Sequence, residues 1–211
     1  MFKYEKLGKK GSVIKKLDQL SIIFFTISFF GWCFEKIARY VVYNSTADRG
    51  FLSMPICPIY GVSVLLIYFL AGTPKTMTLS IPCSDESKKA KKFIVSLANF
   101  IIYFVLVTVI STLIEFVTGW FFKQVIGVQL WTYEQQPLNI GGYICLRYSL
   151  LWGILISLFM GILWDRIANP VKKIKDNTLR ITSTVLWSVM ICDVVFNCIY
   201  VAVTGNHFQF L

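Results

Sequence analysis

The sequence predicts an all-α polytopic membrane protein, a bundle of five transmembrane helices. Three observations carry that prediction. Hydrophobic residues make up 56% of the 211-residue chain and charged residues only 15%, against about 25% charged in an average soluble domain. The apolar residues fall in long blocks and not in stripes of helical or strand period. Each block is of the size needed to cross a ~30 Å hydrocarbon core, which takes about 20 residues of helix.

The first span is expected near 19–43, where residues 19–34 carry no charge and the apolar run resumes past Glu35 and Lys36 to Tyr43. Its basic lead (Lys9, Lys10, Lys15, Lys16) imitates a secretory signal, but no small-x-small cleavage site follows. Residues 1–18 therefore read as a basic cytoplasmic tail and the span as an uncleaved anchor. The second span, near 55–73, lies in a stretch free of charge from 51 to 74. The third, near 93–119, begins in a charge-free run from 93 to 114. In the fourth, near 144–165, Arg147 is the only charge between Gln135 and Trp164. In the fifth, near 180–204, Asp193 is the only charge between Ile181 and Leu211. The membrane domain thus covers 19–205, residues 206–211 form a short outer tail, and the length leaves no room for a separate soluble domain. A β-barrel is not expected. Runs such as Phe100 to Val107 are apolar on every side and do not alternate, and in lipid such a run satisfies its backbone only as a helix.

Lysine and arginine placement predicts the orientation. The N-terminal tail (Lys3, Lys6, Lys9, Lys10, Lys15, Lys16), the loop between spans two and three (Lys75, Lys88, Lys89, Lys91, Lys92) and the loop between spans four and five (Arg166, Lys172, Lys173, Lys175, Arg180) share one side. The other side and the span ends hold Lys36, Arg39, Arg49, Lys123 and Arg147. The acidic residues divide almost evenly, so the whole net charge of +10 falls on the first side. That side is expected to face the cytoplasm of a multi-pass cell-membrane protein, with the C-terminus outside. Basic residues flanking spans meet the anionic inner leaflet, at about 1 kcal/mol each near the surface. Nucleic acid is not an expected partner, because no nucleic-acid-binding fold signature is present.

The six cysteines (Cys33, Cys57, Cys83, Cys145, Cys192, Cys198) contain no C-x-x-C, and the one histidine, His207, is remote. No metal site or cofactor is expected. Cys57 and Cys145 both fall at outer span ends, where a disulfide is conceivable. Asn44-Ser45-Thr46 matches a glycosylation acceptor in an outer loop. Walker A, dinucleotide-loop, zincin and nucleophile-elbow patterns are absent, so any use of ATP needs another chain. The chain is not expected to be an enzyme, and acid/base chemistry within the membrane by the carboxylates with Tyr60 and Arg147 is a weak third reading.

Charges within spans are costly, on the order of 2.5–3.5 kcal/mol at mid-membrane, and usually face the bundle interior or water. The outward-running spans each carry one acid: Glu35, Glu115 and Asp193. At ~1.5 Å per residue, Glu35 and Asp193 are expected at similar depth, with Glu115 nearer the outer boundary. Glu35 has Arg39 one turn on as a local pair, and Glu115 can snorkel to the interface. Asp193 has no charged neighbour within ten positions on either side, and Asn197 lies one turn later on the same face. Arg147 is the best-placed cation to balance these acids, and Tyr60 completes the candidate polar set. The two inward spans also share Ile-Cys-x-x-Tyr, at Ile56-Cys57…Tyr60 and Ile144-Cys145…Tyr148. Each follows an acid, which suggests a parallel repeat of two-helix hairpins plus a fifth helix. Pro58 in the first helical turn is also an ordinary helix start.

Phe30-Gly31-Trp32-Cys33-Phe34-Glu35, then Arg49-Gly50-Phe51-Leu52, then Pro55-Ile56-Cys57-Pro58-Ile59-Tyr60-Gly61 resembles the opening signature of the ABC-transporter type IV permease family of bacterial membrane proteins, whose substrate is not established. Glu115, Trp131-Thr132-Tyr133, Pro137-Leu138-Asn139-Ile140 and Gly141 through Trp152-Gly153 resemble its second signature, and the resemblance covers roughly 25–200. The chain departs from the family at Thr132, where an acid is usual, and at Tyr143, where a base is usual. The resemblance implies a bacterial permease subunit. Its acids would line a path, and its basic loops, above all Asp165 to Arg180, would contact a separate ATPase subunit. No recognised coupling motif is present in that loop. Five spans are few for a complete permease, so a homo-oligomer or a second membrane subunit is implied. The competing class is a membrane scaffold, sensor or assembly factor.

Cysteines introduced at Lys16, Lys89 and Lys173 should be shielded from an impermeant thiol reagent in intact cells, and one at Lys123 should react. Labelling of the first three in sealed cells reverses the orientation.

Overall fold

The computed structural model describes residues 2–44, 50–77, 79–81, 89–206 and 208. Arg49, Cys83 and His207 lie outside the described residues. The chain is helical: α1 Phe2–Tyr43, α2 Pro58–Leu70, α3 Lys89–Phe121, α4 Leu146–Leu158, α5 Trp164–Lys172 and α6 Asp176–Thr204. A π-helical turn at Phe122–Ile126 follows α3, and another at Phe159–Leu163 joins α4 to α5. Among the described residues, extended pairing is confined to a two-residue bridge between β1 (Asn139–Ile140) and β2 (Ile144–Cys145), antiparallel with Ile140 opposite Ile144.

Among the described residues, four helices are long and apolar enough to cross a membrane: Ser12–Val41, Lys89–Ile126, Leu146–Lys172 and Asp176–Thr204. The expected spans one, three, four and five fall on them, with longer ends than the apolar runs alone mark. α1 extends N-terminally beyond the apolar run as one helix of 42 residues, so the expected tail is helical from Phe2. No proline interrupts it, and lysine-rich turns are good helix formers. Asn44 closes it in the left-handed region at φ 48°, which asparagine tolerates. α6 opens with Asp176 in its first turn and ends on Gly205 at φ 72°, a left-handed cap suited to glycine.

The expected second span is shorter than its apolar run. α2 has 13 residues, which rise about 20 Å against a ~30 Å core. Proline at its first position fits a helix start, but Phe51 to Cys57 before it are not helical.

The chain clusters into two units: residues 1–62, 122–130 and 167–211, and residues 63–121 and 131–166. In the first unit α1 and α6 lie side by side and run in the same direction. Lys15 pairs with Asp176 at 2.7 Å, the Ser183 hydroxyl donates to Asp18 at 2.7 Å, and the Trp187 indole donates to Ser21 at 2.9 Å. Trp187 then stacks on Phe24 and meets Phe25 edge-on. Partners thus advance together along both helices, as two outward spans require. Ile23, Phe24, Phe25 and Ile27 form the buried core there.

In the second unit α3 packs antiparallel on α4. A Cβ on Gly153 would collide with Thr108 and crowd Phe104. Close backbone approach at small residues is how membrane helices gain van der Waals contact without a hydrophobic drive. Tyr103 is fully buried and donates its hydroxyl to the Gly72 carbonyl at 3.0 Å. Farther inward, Tyr68 stacks on Trp164 at 4.4 Å.

Gly153→Val should cost about 1–3 kcal/mol through overpacking and lower the melting temperature in detergent. Gly161→Ala, whose added methyl would meet only Pro74 at 3.7 Å, should not. An unchanged melting temperature for Gly153→Val refutes the α3–α4 crossing.

Candidate functional site

Within the first unit, Asp193 and Asn197 from α6 meet the non-helical segment that precedes α2. The Met54 backbone N–H donates to Asp193 Oδ2 at 3.0 Å. Asn197 Nδ2 lies 3.1 Å from Asp193 Oδ1, 2.9 Å from the Asp193 carbonyl and 3.1 Å from Ser53 Oγ. Asn197 is fully buried, and its Oδ1 has no hydrogen-bond partner. On the other side of the segment the Cys57 N–H donates to the Ser28 carbonyl of α1 at 2.9 Å.

The α1–α6 register gives the depth of this cluster. Ser21 lies opposite Trp187, so Asp193 is level with about Ile27 and Ser28, some 10 Å above the start of the apolar run on α1. Residues 51–57 reach this level of α1 and α6 without helical structure, and α2 begins there.

Glu35 sits higher. Its Oε1 accepts the Tyr60 hydroxyl at 2.6 Å, and the Tyr60 ring lies where a side chain on Gly31 would be. The same register places Glu35 about two turns, ~10 Å, outward of Asp193. The equal depth expected of the two acids is corrected by this offset: counting residues from each inner helix start ignored the stagger between the helices. Nor does Glu35 pair with Arg39. Among the described residues no lysine or arginine pairs with Glu35 or Asp193.

The motif residues assemble around these contacts. Gly61 gives close approach to Phe24 and Ser28 of α1. Phe51 is buried and lies 5.0 Å from Phe122, ring to ring. Ile56 is buried, Cys57 and Pro58 are half-buried, and Pro55 and Gly50 lie in the non-helical stretch before α2.

The second unit holds an acid–tyrosine pair of its own. Glu115 is buried and accepts the Tyr133 hydroxyl at 2.9 Å. Tyr133 stacks on Tyr148 at 4.8 Å. Its loop is knitted by Asn139, whose Nδ2 donates to the Gln136 carbonyl at 2.8 Å and whose Oδ1 accepts the Gly142 N–H at 3.2 Å. Gly142, at φ 74°, has Glu134 where a Cβ would go. The Trp131 indole donates to the Tyr143 carbonyl, and both side chains crowd Gly119. Thr132 and Tyr143, the two departures from the family pattern, thus lie in a loop closed by neutral hydrogen bonds and ring packing. Arg147 is exposed on the first turn of α4 with its guanidinium over the Tyr148 ring at 5.9 Å. No ion pair involves it among the described residues. Neither Cys57 nor Cys145 is in a disulfide among the described residues.

Sequence reasoning singled out Glu35, Tyr60, Asp193 and Asn197, and the first unit contains all four. It missed Ser53 and Met54, and it named Tyr133 only within the second signature and not as the partner of Glu115. A serine beside a proline-rich break at the head of an apolar run was the available signal for Ser53.

Asp193→Leu should strand the Met54 N–H and cost about 1–3 kcal/mol, seen as a lower melting temperature in detergent. Asp193→Asn keeps an acceptor oxygen and should lose less. Tyr60→Phe, which leaves Glu35 without its donor, should fall in the same range. An Asp193→Leu variant as stable as the parent would show that Asp193 does not hold the segment.

No curated protein and no solved structure gives a significant match to the chain. A family model does, that of "Putative ABC-transporter type IV", over residues 22–198, which take in both acid–tyrosine pairs and the Asp193 cluster. The chain belongs to this ABC-transporter-related family of membrane proteins.

Proposed function

We propose that this chain is a membrane-embedded permease subunit of an ABC-type transporter, with ATP hydrolysed by a separate chain. One observation carries the reading: a non-helical segment between two apolar helices donates a backbone N–H to Asp193, the one acid of α6 beyond its first turn. Irregular backbone within a membrane is tolerated only where protein or water satisfies it. In transporters such breaks, at the ends of discontinuous helices, form the site for substrate and coupling ion.

On this reading α2 completes a fifth crossing together with the non-helical segment before it. The hairpins α1–α2 and α3–α4 are related. Gly61 packs on residues eleven and seven before Glu35, and Gly153 on residues eleven and seven before Glu115. The Ile-Cys-x-x-Tyr matches are offset from that relation, because Cys57 bonds at the level of Ser28 whereas Cys145 immediately precedes α4. The N-terminus faces the cytoplasm and the lysine-rich side meets anionic lipid. The corner between α5 and α6, with Lys172, Lys173, Lys175 and Arg180, is the docking face for the ATPase. A second copy or another membrane subunit completes the pathway.

Purification of the natively expressed protein in mild detergent should recover an ATP-hydrolysing partner. Charge reversal at Lys172, Lys173 and Lys175 together should release that partner and leave the membrane domain folded. Recovery of a functional protein with no ATPase bound overturns the permease reading in favour of a scaffold or sensor.

A further inference from the structure

We infer that the cluster of Asp193, Asn197 and Ser53 binds a monovalent cation, so that the species carried or co-transported through this subunit is positively charged. Four observations lead there. First, Asp193 is the only charge of α6 from Ile181 onward, and an uncompensated charge within a membrane span is costly. Second, among the described residues its carboxylate receives only the Met54 N–H and the Asn197 amide, and no lysine or arginine. Those dipoles reduce the cost but cancel no charge. Third, Asn197 is 0% exposed and its Oδ1 has no partner. Oδ1 shares a carbon with the Nδ2 that touches Asp193 and Ser53, so the unsatisfied acceptor belongs to the same cluster. A buried acceptor without a donor is rare and costs about 1–3 kcal/mol. Fourth, Glu35 lies outward of the site on the same unit and likewise has no cationic partner among the described residues. A cation approaching from outside therefore meets one carboxylate and then a second.

The side-chain oxygens of the cluster are those a hard, singly charged ion takes: the Asp193 carboxylate, the Asn197 amide oxygen and the Ser53 hydroxyl. One charge on the ligand balances the one carboxylate at the site. A sodium ion and a small alkylammonium share this chemistry, and the experiment separates them. The biological meaning rests on the permease reading, but binding itself does not, so the two fail separately. Cation binding without a bound ATPase would sink the transporter and keep the site.

The test uses the purified full chain in detergent at constant ionic strength. Sodium chloride and tetramethylammonium chloride are each titrated against N-methyl-D-glucamine chloride, with melting temperature as readout. One of the first two should raise the melting temperature saturably, by about 5–10 °C at ~100-fold excess over half-saturation. Asp193→Asn, close in shape, should raise the half-saturating concentration at least tenfold, and Ser53→Ala should weaken binding while leaving the fold intact. Asp165→Asn, which alters only the exposed pair with Lys75, should respond like the parent. If Asp193→Asn does not fold, Ser53→Ala decides. Equal shifts in all three salts, no saturable shift, or an unaltered response in Asp193→Asn and Ser53→Ala would overturn the site.

Discussion

The fold turns on one requirement: a peptide N–H in hydrocarbon must find an acceptor. Helices meet it internally, and most of this chain is helical for that reason. The segment from Phe51 to Cys57 cannot, and its needs are met from two sides, by the Ser28 carbonyl on α1 and by Asp193 on α6. Everything distinctive in the first unit follows. α1 and α6 must lie parallel and in register to bring Ser28 and Asp193 to one level. Gly31 and Gly61 must be bare so that Tyr60 and the start of α2 can pass close to α1. An aspartate, expensive in lipid, is retained because it accepts from outside its own helix.

The two units answer the same demand in different ways. In each, an acid on a long helix accepts a tyrosine hydroxyl, and a glycine on a following helix presses against a phenylalanine and a hydroxyl residue. Yet before α2 the chain is held by backbone N–H bonds to Ser28 and Asp193, whereas before α4 it forms a loop, closed by Asn139 and the β1–β2 bridge, that is anchored to Glu115 through Tyr133. α4 therefore runs on through its π-helical turn to Lys172, and α2 stops after 13 residues.

Much of this was legible in the residues. Charge-free blocks marked every long helix, because burial in lipid demands apolar side chains all round. Asp193 with Asn197 stood out because nothing else in their span is polar enough to compete. The tyrosine partner of Glu35 lay inside the motif that suggested it. What stayed hidden was vertical: stagger between α1 and α6 is set by side-chain pairs such as Ser183 with Asp18, and pairs far apart in sequence leave no periodic trace. For the same reason Arg39 looked like the partner of Glu35. Spacing along one helix was visible, but the approach of Tyr60 from another was not.

The bond between Met54 and Asp193 joins residues 139 positions apart. A ribosome adding ~5–20 residues per second takes roughly 10–30 s to cover that interval. During it the first hairpin is already emerging while the acceptor for its broken backbone has yet to be made. The segment before α2 therefore completes its bonding only when the last helix arrives, and truncation before Asp193 would remove both that helix and the acceptor of the Met54 N–H.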